Sequence, residues 1–244
     1  MYPNLLETLD RQATDHVEQG EMESAVRWSL TSLEASRQAV KENGDCVPYL
    51  IRALRRLAAV RASLGNRSAA LDLLEEAVRV ADRTGGVDPL ETALIRTEWA
   101  SLADEDGDWQ KASRLLLQAL AVLEDMGFDV VEQFALRNNL AMILKREGQF
   151  QDAERQYLKA REEVVRFFGS RSAEFAAVCN NLGGLYGEIG RWKASIASHE
   201  KALAIWKELK SGPQEIGQSL SNLAVAYQKI RKPGKADELY RKAL

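Results

Sequence analysis

Histidine and cysteine are scarce in this chain. His16 and His199 are the only histidines, and Cys46 and Cys179 the only cysteines. Neither cysteine lies in a CxxC or Cys/His spacing, so no zinc site or disulfide framework can be assembled from them. With so few histidines, no Ser/His/Asp or Cys/His arrangement comes together either. No apolar stretch approaches the ~20 residues that cross a bilayer. The opening segment MYPNLLETLD lacks a basic stretch followed by an apolar run, so no secretory leader is expected. An excess of one charge is also missing: 33 Lys+Arg stand against 36 Asp+Glu, a net charge of -3. Such a balance gives no electrostatic footprint for nucleic acid. The expectation is a soluble cytoplasmic protein with no catalytic residues, metal or cofactor. Membrane contact is left open.

What the sequence does contain is repetition. NNLAMILKREGQF (138–150) returns as NNLGGLYGEIGRW (180–192), and again as SNLAVAYQKIRKP from Ser221. Aligned on the glycine, Gly20, Gly65, Gly107, Gly148 and Gly190 form one column, with Arg231 in the sixth place. The spacings are 45, 42, 41, 42 and 41 residues. Small residues follow at two fixed offsets: Ala25, Ala70, Ala112, Ala153, Ser195 and Ala236, then Ser32, Ala77, Ala119, Ala160, Ala202 and Ala243. Eight positions before the glycine lies an apolar column of Leu57, Trp99, Leu140, Leu182 and Leu223.

Helical spacing of the apolar positions and a glycine able to adopt left-handed backbone angles make each unit a helix, a tight turn and a second helix. The two small columns let those helices approach closely. Asp88-Pro89 with Glu91, and Ser211 with Pro213 and Gln214, mark helix starts; Asn4 with Glu7 marks the first. The predicted architecture is all-α: six helix pairs in a single array over 1–244, with units at 3–44, 45–86, 87–127, 128–169, 170–210 and 211–244.

NLGGLYGEIGRWKASIASHEKAL, from Asn181, carries small, aromatic, glycine and alanine positions in the order of the tetratricopeptide repeat, which the chain resembles. The period of 41 to 45 residues exceeds the usual 34. It resembles the longer repeat of kinesin light chains, whose units also begin NNLA or NNLG and pass through a Gly-aromatic turn into Ala-Leu. The connector VRFFGSRSAEFAAVCNNLG (165–183) is similar too, although the Asp-His-Pro of that family is absent. The resemblance implies a right-handed superhelical solenoid whose first helices line a concave face. It further implies a protein or peptide partner, with a filament of bacterial tubulin as the specific partner of bacterial members of that type.

Mid-helix asparagine is unfavourable by up to roughly 0.7 kcal/mol against alanine, so an asparagine column needs an offsetting role. Two readings are open. Asn139, Asn181 and Asn222, with Asn138 and Asn180 beside them, hold the backbone of an extended peptide, as the matching residues do in kinesin light chains. Alternatively, each amide bonds to an adjacent helix. In earlier units Arg11, Arg56 and Glu98 occupy the same column. Arg52, Arg55 and Arg56 share one helix face; Lys145, Arg146 and Lys229 extend later first helices; Glu98, Asp104 and Glu105 make the third unit acidic. These are further partner-binding candidates, or else solvated faces.

His199 stands in the second-helix column of Tyr157 and Tyr240, which predicts packing. GGLYG (183–187) falls inside a helix, where no phosphate cradle forms. Trp99, Trp109 and Trp192 occupy repeat columns and are expected in the core, whereas Trp28 and Trp206 are less fixed. The functional expectation is a non-enzymatic scaffold; the alternative is the sensor segment of a larger signalling protein. The last unit, ending LYRKAL, has no polar capping helix, so self-association through an uncapped end is a further expectation.

Overall fold

The computed structural model describes residues 2–84, 87–125 and 131–243. It divides into two compact units, within residues 1–127 and 128–244. The first holds α1 (Tyr2–Glu18), α2 (Met22–Glu42), a 3-10 turn (Gly44–Cys46), α3 (Val47–Ser63), α4 (Arg67–Thr84), α5 (Pro89–Glu105) and α6 (Trp109–Asp125). The second holds α7 (Val131–Arg146), α8 (Phe150–Phe168), α9 (Ala173–Glu188), α10 (Trp192–Glu208), α11 (Pro213–Lys229) and α12 (Pro233–Ala243). Strands are absent among the described residues. The expected unit limits at 86/87 and 127/128 fall on residues 85–86 and 126–130, outside the described set.

Five of the six pairs turn at a glycine of the column. Gly20, Gly65, Gly107, Gly148 and Gly190 have φ between 75° and 79°, and Arg231, in the same column, is held at 60°. The bond that closes a Schellman turn recurs behind each of them. Arg191 N donates to Tyr186 O (2.8 Å), and Lys232 N to Tyr227 O (2.9 Å) even where arginine replaces glycine. Both small columns are buried where the helices of a pair meet: Ala25, Ala70, Ala112, Ala153, Ala77, Ala119, Ala160 and Ala202 are fully inaccessible. Leu57, Leu140, Leu182 and Leu223 of the apolar column are buried as well.

Helix starts follow local chemistry. Asp88 accepts from Leu90 N (2.9 Å) ahead of Pro89, and Ser172 accepts from Phe175 N at the head of α9. Two expected starts are corrected. Helix α1 already runs from Tyr2, so Asn4 lies inside it. Gly212 rather than Ser211 precedes α11, with no side-chain cap.

The tryptophans also divide differently from expectation. Trp99 is buried with Lys111 Nζ 4.5 Å above its ring, but Trp109 is 40% exposed. It opens α6 directly after the turn, and Trp192, which opens α10 in the same way, is only half-buried. Trp206 is buried, and Trp28 stacks on His16 at 6.3 Å. Cys46 and Cys179 are buried free thiols, and burial raises the pKa of Cys179.

A candidate partner-binding face

The first helix of each pair carries the polar column, and its neighbours reveal why polar residues come in twos. Asn181 Nδ2 donates to Asn138 Oδ1 (2.9 Å), joining α9 to α7. Asn222 Nδ2 donates to Asn180 Oδ1 (3.4 Å), joining α11 to α9. In the first unit the same positions form ion pairs. Arg56 meets Asp10 at 2.8 Å, joining α3 to α1, and Arg55 meets Glu98 at 2.5 Å, joining α3 to α5. One rule covers all four: the residue preceding the column bonds the column residue of the next repeat. The sequence held the signal, because Asp10 precedes Arg11 as Asn138 precedes Asn139, but only the stacked register turns it into a contact.

The expected basic cluster of α3 is therefore largely paired. Arg55 also reaches Glu91 (3.3 Å). The Glu98 carboxylate beside it is the main cause holding its guanidinium above the usual pKa, against partial desolvation. Arg52 is exposed and lies 4.8 Å from the centre of the Tyr49 ring. Lys145 pairs with Glu188 at 3.0 Å, from α7 to α9. Arg146 and Lys229 are exposed at the ends of α7 and α11.

Accessibility separates the amides. Asn139 is exposed and donates no hydrogen bond to another described side chain; Asn138, Asn180, Asn181 and Asn222 are half-buried. A carboxamide offers two N–H donors and an acceptor oxygen, so one bond per neighbour leaves Asn181 and Asn222 each with an N–H and an oxygen for a ligand. Asn180 is more committed. Its Oδ1 also accepts from His199 Nδ1 at 2.8 Å, which fixes the neutral tautomer with Nε2 unprotonated. Burial lowers the His199 pKa to about 4. Sequence reasoning placed His199 in the core but missed this contact to the polar face.

Comparison with known proteins agrees with this geometry. The tetratricopeptide repeat model matches residues 49–125, 132–208 and 174–244. A search of curated proteins finds no match. Among solved structures, BtubC (BKLC) from P. vanneervenii is similar at 30% identity, with a TM-score of 0.79 over 91% of this chain and 89% of that one. A kinesin light chain repeat protein of Podospora anserina has a TM-score of 0.72 at 19% identity, over 86% of this chain and 98% of that one. The signal-transduction ATPase PH0952 from Pyrococcus horikoshii, a protein with a tetratricopeptide repeat sensor, aligns at 19% identity and TM-score 0.66, over 98% of this chain but 38% of that one. The glycine turns, the paired small columns and these matches together show that the chain belongs to the tetratricopeptide-repeat family, in its kinesin-light-chain-like form.

Proposed function

We propose that the chain is a non-enzymatic scaffold that holds an extended protein segment along the first helices of α7–α12, with Asn139, Asn181 and Asn222 as the main backbone contacts. The observation that carries this reading is the split role of the paired asparagines. Asn138 and Asn180 lock successive helices together, and the column residues keep donor and acceptor groups on an accessible face. Such amides bind peptide backbone with little regard to side-chain sequence. Lys145, Arg146 and Lys229 border that face, whereas Arg52, Arg55 and Arg56 form a second, mostly self-neutralised sector.

The partner proposed is a polymer of bacterial tubulin, on the strength of the 30% identity to BtubC (BKLC) over nearly all of both chains. The alternative of a sensor segment has fold likeness alone behind it. No described helix is long and apolar enough to cross a membrane. Self-association through the terminal helix pairs is a separate outcome, read from molar mass in solution.

Co-sedimentation with assembled bacterial tubulin tests the proposal. The chain is expected in the pellet only when polymer is present, and the combined Asn139→Ala, Asn181→Ala and Asn222→Ala variant stays in the supernatant while keeping its helical circular dichroism. Wild-type chain that stays soluble beside polymer removes the filament partner. Equal pelleting of the triple variant removes the asparagine face.

A further inference from the structure

Helix α9 carries Gly183, Gly184 and Gly187 in its interior. The same repeat positions hold Ala141, Met142 and Lys145 in α7, and Ala224, Val225 and Gln228 in α11. Each interior glycine destabilises a helix by about 1 kcal/mol against alanine, so three in one helix call for a reason. Packing accounts for the first: a Cβ on Gly183 meets three ring atoms of His199 at 2.7–2.8 Å. It does not account for the second, because a Cβ on Gly184 has nothing closer than Lys145 Nζ at 4.0 Å. On Gly187 it reaches Ser195 and Trp192 at 3.4 Å, which is a tight but adjustable contact.

Beside these glycines an open-sided cavity of about 500 Å³ lies between α9, α10 and α11, walled by Trp192, Val225, His199, Asn222, Lys229 and Glu188. His199 borders it while only 2% exposed. Its Nδ1 is used by Asn180, and its Nε2 has no partner among the described residues. Asn222 gives its amide N–H to Asn180 and retains its oxygen. Lys229 makes no ion pair among the described residues, and Glu188 is already taken by Lys145.

We infer that this cavity is a specificity subsite that takes a carboxamide side chain, glutamine or asparagine, from the bound segment. The chemistry of the wall selects it. Two acceptors, His199 Nε2 and Asn222 Oδ1, match the two N–H donors of a primary amide, and the Lys229 ammonium matches its oxygen. A carboxylate sets its lone pairs against both acceptors. A cationic side chain faces Lys229, and the acid on the wall, Glu188, is already paired with Lys145. An aliphatic one buries the Nε2 lone pair without a donor, at about 1–3 kcal/mol. Protonation does not rescue the mismatch, since the desolvated imidazole stays neutral near pH 7.

The inference rests on the reading of this face as the partner-binding face, and a random-peptide phage library selected on the immobilised protein separates the two. Enriched peptides are expected to share a glutamine or asparagine. Replacing it by glutamate or norleucine weakens binding about tenfold. Gly184→Met, which places on the cavity wall the side chain that the preceding repeat carries at Met142, abolishes that discrimination while the helical signal and melting transition persist. Peptides with no shared carboxamide, or discrimination that survives Gly184→Met, overturn the subsite. The wider reading then stands if Asn139→Ala with Asn181→Ala still lowers affinity. It falls together with the subsite if no peptide is retained, or if none of these substitutions matters.

Discussion

Gly183 and Gly184 are adjacent in one helix, yet substitution by alanine has opposite consequences. Alanine gains about 1 kcal/mol of helix propensity at either position. At Gly183 the new methyl meets a rigid imidazole at 2.7 Å, and overpacking of that kind costs about 1–3 kcal/mol. At Gly184 it enters open space. Gly183→Ala therefore lowers, and Gly184→Ala raises, the urea midpoint of the second unit; equal shifts of one sign contradict the assigned position of His199. The imidazole itself titrates in a known direction. Its folded pKa is depressed to about 4 from an ordinary 6.5, so between those values the unfolded chain binds a proton that the folded chain does not. This contribution is fully present above pH 6.5 and is lost as pH falls toward 4, reaching about 3 kcal/mol in total. Urea titrations across that window show a steeper acid loss for the wild type than for His199→Gln. Parallel curves exclude a buried neutral histidine.

At the scale of helices, the fold was legible because it rests on local and periodic signals. Glycine at five of the six turns and alanine or serine in the two small columns leave marks at fixed offsets, and the left-handed Arg231 sits where the column placed it. The site was legible only in part. Asn138 and Asn181 are 43 residues apart, and nothing in either segment states which amide of one pair faces which of the next. The pairing of Arg55 with Glu98 escaped for the same reason, so a cluster that looked free by composition is mostly neutralised. Trp109 shows the limit of periodicity from the other side: a repeated aromatic at a helix start is half covered, not buried. The pairing rule makes its own prediction. Asp10 and Arg56 are both about one-fifth exposed, and so are screened less than a surface pair. Arg56→Asp alone sets two carboxylates together and destabilises the first unit. Adding Asp10→Arg restores part of the loss, with a coupling of about 1 kcal/mol in a double-mutant cycle. Additive effects contradict the contact.

Within each compact unit, the substantial helix–helix contacts among the described residues join sequence neighbours or next-but-one helices. Stability in such a structure is close to a sum of repeat terms and nearest-neighbour interfaces, and each compact unit contains three pairs with their own buried columns. The exposed ion pairs add little to that sum. Arg171–Glu208, with side chains 80% and 54% exposed, belongs to a class whose median worth is about 0–1 kcal/mol. Burial within each unit carries the structure instead, which predicts that the units do not need each other to fold. Residues 1–125 and 131–244, expressed separately, should each show helical circular dichroism and a cooperative urea transition. A fragment that is unfolded, or that collapses without cooperativity, places essential stabilisation outside its own three helix pairs. The pelleting behaviour of the two fragments then assigns function to scale. The asparagine column lies wholly in 131–244, so that fragment alone should sediment with polymer; retention only by residues 1–125 moves the partner-binding face to the ion-paired repeats.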